Sequence, residues 1–303
     1  MEVKDIFALR RQGRTEEAYE AIRPMYAAHK GRYTTLAMFW VAVDMMRLRY
    51  QQRRLEDAYK IFLSLMRLYP TMDDGDCKGQ SAMMRAALLV FDHNPSFSML
   101  KFIEEWGITR LTDEDWTMGQ ANGHPVQSTA MRIVGKVFKE VEAHPTTEMA
   151  LRAAPILAEA LKHSPYNMNN QRYKAMIYRI MGKRDKAVNI YWHLIQHHRQ
   201  SYLYHELAEL VDDRDTKIAL LCRAITTQRE EKYRQRMRFT LAGLLFGTDK
   251  ARARYELDKC VAARKQAAMP SRGRCRTSSP ALPRCSPSAM LTRRASTGCR
   301  KRS

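Results

Sequence analysis

Apolar residues recur along the chain at helical spacing, and small residues punctuate them at nearly regular intervals. Ala153, Ala187, Ala219 and Ala251 stand 34, 32 and 32 residues apart, each followed four residues later by a larger side chain. That period predicts stacked helix–turn–helix repeats. A hairpin of this size cannot bury its apolar stripe alone, so it must stack on a neighbour. The small residue lets two helices approach, and the bulky one fills the gap a turn later.

The first predicted hairpin runs from residue 2 to about 29. Gly13 marks its turn, Thr15 is placed as an N-cap, and Glu16 and Glu17 suit the positive end of the second helix. Ala18, Ile22 and Met25 then form a buried stripe. The second hairpin, about 33–69, turns near Arg53 and Arg54. Ala58, Phe62, Leu65 and Pro70 repeat the order small, large, apolar, stop.

The run Gly182-Lys-Arg-Asp-Lys-Ala187-Val-Asn-Ile-Tyr191 resembles the second-helix motif of the tetratricopeptide repeat (TPR) family, and Ala175 and Tyr178 stand where that family places residues of its first helix. Residues 53–70 match the second-helix half, as do Ala153, Leu157, Ala160 and Pro165. Two departures stand out: the second hairpin lacks the turn glycine, and Arg223 takes the aromatic slot after Ala219.

Between about 70 and 125 the register is lost. Residues 73–77 read as a loop, 81–91 as an apolar helix, and 94–96 as a turn leading to a helix that ends near Trp106 and Gly107. Gly119, Gly123 and Pro125 break the stretch that follows. The expected organisation is therefore hairpins over 1–107, an inserted loop over 108–125, and regular hairpins over 126–268 (126–163, 168–198, 201–227 and 231–267). A disordered basic tail occupies 269–303. The fold class expected is all-α. The resemblance implies a right-handed α-solenoid of about seven TPR-like hairpins.

Composition agrees with that class. The 303 residues are 45% hydrophobic and 28% charged, and 13 glycines and 11 prolines are few for an all-β chain. The N-terminus has no apolar signal core. The longest apolar run, residues 36–43, is far short of a membrane span, so the expected compartment is the cytoplasm. Six cysteines (77, 222, 260, 275, 285, 299) form no CxxC pair and read as reduced thiols.

Charge changes the picture more. The net charge is +20, of which residues 269–303 supply +9 with no Asp or Glu, leaving +11 on residues 1–268. The tail is a mixture of Arg, Ser, Pro, Cys and Ala without helical period, which predicts a shifted reading frame after about Ala268. The other reading is a genuine disordered tail that binds nucleic acid.

No residue set announces a reaction. His193 and His197 share a helix face at a spacing that can bind zinc, with His198 and His205 nearby, but no carboxylate or thiolate completes the set. Asp73, Asp74 and Asp76 around Gly75 lack the order of a calcium loop. Phosphate-loop, nucleophile-elbow and zincin motifs are absent. A non-catalytic protein with no cofactor and no metal is expected.

The TPR resemblance implies that the first helix of each hairpin lines a concave groove. Carried onto this sequence it selects Trp40, Val43, Arg47 and Tyr50, then Asn169, Arg172, Met176 and Arg179, then Tyr204, and lastly Tyr233 and Arg236. Arg and Asn there can hold a peptide by its backbone or carboxylates, so the groove is expected to be basic and aromatic, and its partner another protein or peptide bearing acidic groups. The alternative is a nucleic-acid-associated protein. Residues 229–268 hold eleven Lys/Arg against five acids. In addition, the segment from Trp106-Gly107 through Leu111-Thr-Asp-Glu-Asp115 to the Ser128 helix resembles bacterial TPR proteins of mobile-element conflict systems, some of which continue into an OB-like domain.

Overall fold

A computed structural model describes residues 1–72, 75, 78–121 and 123–268. The expectations for Asp73, Asp74, Asp76, Cys77 and the tail 269–303, including its disorder and the frameshift, lie outside the described residues.

The described chain is a tandem array of α-helices, with one small hairpin as its only β-structure. Seven helix pairs can be followed in order. They are α1 (Val3–Arg11) with α2 (Thr15–Ala28), α3 (Arg32–Gln51) with α4 (Leu55–Leu68), and α5 (Lys78–His93) with α6 (Met99–Trp106). After a short α7 (Asp113–Trp116) come α8 (Thr129–Ala143) with α9 (Thr147–His163), and α10 (Met168–Ile180) with α11 (Arg184–His197). The last two pairs are α12 (Ser201–Leu210) with α13 (Arg214–Thr227), and α14 (Glu231–Leu245) with α15 (Lys250–Ala268).

Most helices pack on the next in sequence, which is the contact pattern of an α-solenoid. The α5–α6 pair departs from it, since both helices also pack against α8. The core is correspondingly a ribbon. Ala37 and Val41 of α3 belong to the N-terminal cluster with Ile6 and Ile22, whereas Phe39 and Ala42 of the same helix enter the central one. Likewise α10 sends Met176 and Ile177 into the central cluster and Ala175 into the C-terminal one.

Three of the inter-helix turns are alike down to their hydrogen bonds. Gly13, Arg53 and Gly182 all have positive φ (74°, 59° and 72°). In each turn that residue's N–H donates to the carbonyl three residues back, and the next N–H donates to the carbonyl five residues back. This is the Schellman termination, which needs a left-handed residue and favours glycine. The second hairpin thus lacks the glycine but keeps the turn, with Arg53 accepting the strain.

The small residue of the second helix sits four positions after its N-cap, where its N–H closes the first helical turn. Ala18, Ala58, Ala150, Ala187 and Ala253 all donate in this way and are buried; Lys217 holds the same place in α13. Ala153 and Ala187 are fully buried as expected, but Ala219 and Ala251 are exposed. Each lies two residues from the place that closes the first turn, held by Lys217 in α13 and Ala253 in α15. The numerical period of 32 is thus a coincidence of composition in the last two pairs, because the first helices differ in length, with 13 residues in α10, 10 in α12 and 15 in α14.

Residues 108–125 were expected to be a loop and are more ordered than that. Asp115 and Thr112 form a capping box at α7. The nearly buried Asp115 carboxylate also accepts from the Ser81 hydroxyl and pairs with Arg85 at 3.3 Å, tying α7 to α5. Beyond it, β1 (Gly119–Ala121) and β2 (His124–Val126) pair antiparallel with Gly119 opposite Val126.

Candidate partner-binding face

Three first helices, α10, α12 and α14, together with the end of α8, are laced by side chains that cross from one hairpin to the next. Arg172 of α10 donates through Nε to both carboxylate oxygens of Glu206 on α12, at 3.0 and 2.9 Å, and through Nη2 at 2.5 Å. The same Nη2 reaches Glu142 of α8 at 3.0 Å. The guanidinium lies over the Tyr202 ring, 5.0 Å from its centroid, and the adjoining Tyr173 stacks on Phe138 at 4.3 Å. One turn on, Glu209 of α12 accepts from Arg179 of α10 at 3.2 Å and from Arg236 of α14 at 2.7 Å.

The electrostatics follow from this pairing. Burial opposes the charge on Arg172, but its hydrogen bonds to Glu206 prevail and raise its pKa. Burial and the Glu206 carboxylate together push the Tyr191 hydroxyl up, so it stays protonated. Burial lowers the pKa of His205. Glu209, 3.8 Å away, pulls the other way, while Arg236 and Arg179 add to the lowering. His205 is therefore an uncharged imidazole at neutral pH. The surface expected to be basic is charge-balanced along this stretch, carboxylate against guanidinium.

A smaller copy of the arrangement lies near the N-terminus. Arg10 of α1 donates to Asp44 of α3 at 2.5 Å and lies over the Trp40 ring at 5.4 Å, and Arg47 approaches the other Asp44 oxygen at 3.6 Å. Tyr50 packs against the His93 ring at 5.2 Å, and its hydroxyl pKa is pushed up to about 12, first by burial and then by Tyr59.

The other residues selected from sequence fall in different places. Val43, Met176 and Tyr204 are buried; the Tyr204 hydroxyl points to the Ile195 carbonyl at 3.5 Å. These three pack between helices and face no partner. Asn169 lies half-buried in the first turn of α10, its backbone N–H donating to Asn167 Oδ1. Tyr233 is 54% exposed with Lys232 over its ring at 4.6 Å, and the Arg236 side chain is 77% exposed.

What sequence reasoning missed is the acidic half of the lacing: Asp44, Glu142, Glu206 and Glu209. A signal was available. Glu206 lies 34 residues after Arg172, and Glu209 lies 30 after Arg179 and 27 before Arg236. These intervals are close to one repeat, which brings equivalent positions of successive first helices side by side.

His193 and His197 meet edge to face with ring centroids 4.8 Å apart on an exposed side of α11. Among the described residues no three His, Cys, Asp or Glu converge as a metal-binding group. Cys260 is buried, which raises its thiol pKa, and Cys222 is half-buried; both are free thiols. No helix among the described residues is long and apolar enough to cross a membrane.

Residues 171–277 match the family model of a domain of unknown function, DUF7017. The match begins inside α10 and takes in α11 to α15, so it holds most of the laced face but well under half of the chain. No curated protein matches the chain. The crystal structure of BtubC (BKLC) from P. vanneervenii is similar at 14% sequence identity, covering 92% of this chain and 99% of that one with a TM-score of 0.35. A score of that size does not relate the two folds.

Proposed function

We propose that the chain is a non-catalytic, TPR-like scaffold that captures an extended segment of a partner protein along the face built by α8, α10, α12 and α14. One arrangement supports this reading. Arg172, Glu206, Glu209 and Arg236 are tied across successive first helices, so the face is set before any partner arrives, while Arg236 and Tyr233 remain open to solvent. A preformed face loses little conformational freedom on binding.

The pairing also defines how an acidic partner would enter. Glu142 is half-exposed and holds Arg172 by one hydrogen bond. An incoming carboxylate can replace it at small cost, because exposed ion pairs are worth only about 0–1 kcal/mol. Arg236 offers unused donors to a second carboxylate, and Tyr233 adds apolar area beside it.

The test places a photo-crosslinking side chain at Tyr233 on this face and, separately, at His193 on the outer face of α11. The expected result is one dominant crosslinked protein from position 233, which disappears on Arg236→Glu. Crosslinking of the same proteins from both positions, unaffected by Arg236→Glu, overturns the assignment.

A further inference from the structure

The chain's positive charge is not spread along the array. Residues 1–167 hold 22 Lys/Arg and 21 Asp/Glu, whereas residues 168–268 hold 21 against 11. Nearly all of the +11 on residues 1–268 therefore resides in α10–α15. Within that region the first helices spend their arginines internally. Arg172, Arg179 and Arg236 pair with glutamates as described, and Arg234 and Arg238 pair with Glu231, Arg238 also with the nearly buried Glu256 at 2.5 Å.

The second helices do so only in part, through Arg184, Arg214 and Arg254. Arg223 of α13 and Arg252 and Lys259 of α15 are exposed, and none has a carboxylate partner within 4.0 Å among the described residues. One contact brings Arg252 to the residue beside Arg223, and another joins Lys259 to Tyr255. The Arg252 guanidinium reaches Sγ of Cys222, next to Arg223, at 3.3 Å. Lys259 lies over the Tyr255 ring at 5.4 Å, and Tyr255 is 53% exposed. Residues 252, 255 and 259 follow helical spacing along one side of α15 and span about 10 Å at 1.5 Å per residue. The neighbouring acids are engaged elsewhere: Asp249 accepts from the Arg252 backbone N–H at the start of α15, and Asp258 pairs with Arg254.

We propose that the outer stripe Arg223, Arg252, Tyr255 and Lys259 binds the backbone of single-stranded nucleic acid. Uncompensated cations track phosphates without reading sequence. An exposed aromatic ring set between them offers a platform on which an unpaired base can stack, which a duplex does not present. The stripe lies on the second helices, so it is a different surface from the one assigned to a protein partner, and either assignment can fail alone.

The experiment uses the full chain and a fluorescent 20-nucleotide oligo(U), titrated at several salt concentrations. The basic residues 269–303 are present in every variant, so differences report the stripe. The expected result is binding that weakens steeply with salt. The triple variant Arg223→Gln, Arg252→Gln, Lys259→Gln should lower the log–log salt slope by about 2, from ~0.7 per phosphate contact. Tyr255→Ala should weaken binding about fivefold or more with the slope unchanged. Arg236→Gln, on the other face, should change neither, and all variants should keep the native thermal transition. The proposal is overturned if the full chain does not retain oligo(U) at 50 mM salt, or if the triple variant binds with the native slope. It is equally overturned if the chain binds vesicles of 30% phosphatidylserine in phosphatidylcholine but not oligo(U).

Discussion

Replacing Arg172 by methionine tests the lacing between repeats most directly. The Arg172 and Glu206 side chains are 13% and 10% exposed. Three of the arginine's hydrogen bonds end on that one carboxylate. Methionine keeps much of the volume but leaves Glu206 charged in a nearly dry site beside the Tyr191 hydroxyl. Removing one partner of a buried pair costs about 3–5 kcal/mol. Because Glu206 keeps a little solvent, the lower end applies, about 3 kcal/mol. The double variant Arg172→Met, Glu206→Gln carries no stranded charge and should lose only about 1 kcal/mol, since replacing a whole buried pair is often nearly neutral. Hydrogen exchange resolved along α10, α11 and α12 is the suitable assay, because repeat arrays need not unfold in one step. The single variant should raise exchange in these helices about a hundredfold, and the double variant should recover most of that. If the single variant exchanges no faster than the double, the pair does not hold the helices together and the argument for a preset face fails.

Three further outcomes follow from the same geometry. Arg53→Gly should stabilise the α3–α4 hairpin by about 0.5–1 kcal/mol in thermal or urea unfolding, since the turn already has the positive φ that glycine prefers. Gly182→Ala should cost about 1 kcal/mol for the converse reason; a destabilising Arg53→Gly or a stabilising Gly182→Ala would refute the shared turn. Ala187→Leu should destabilise by about 1–3 kcal/mol through overpacking, whereas Ala219→Leu, at an exposed position, should stay within about 0.5 kcal/mol. Burial works against the Glu231 carboxylate, but hydrogen bonds from Arg238 and Arg234 win and lower its pKa. Its contribution is thus complete above the ordinary carboxylate pKa near ~4.3 and is lost as pH falls through the lower folded value. Acid titration watched by exchange in α14 and α15 should show that loss, and Glu231→Gln should flatten it.

The helical stripes of Ala18, Ile22 and Met25, and of Ala58, Phe62 and Leu65, were readable because a surface helix must repeat its apolar positions every three or four residues. The end of α4 near Pro70 and the turns at Gly13 and Gly182 were readable because proline and glycine act on the backbone locally. The turn near Arg53 was readable too, but not its left-handed backbone, since an arginine there carries no local signature. Ala219 and Ala251 show the limit of counting. A fixed interval assumes constant element lengths, and α10, α12 and α14 run 13, 10 and 15 residues, so alanines two places away from the repeat position satisfied the same arithmetic.

Chain-local chemistry was therefore enough to establish helical hairpins in tandem, their order, and the excess of basic residues toward the end. Which cations remain available was settled by assembly alone. Arg172, Arg179 and Arg236 look free in sequence and meet Glu142, Glu206 and Glu209 only when hairpins from distant segments lie side by side. Arg223, Arg252 and Lys259 look no different and meet no carboxylate among the described residues. Charge pairing acts over a few ångströms, and the stacking of repeats decides which residues come that close.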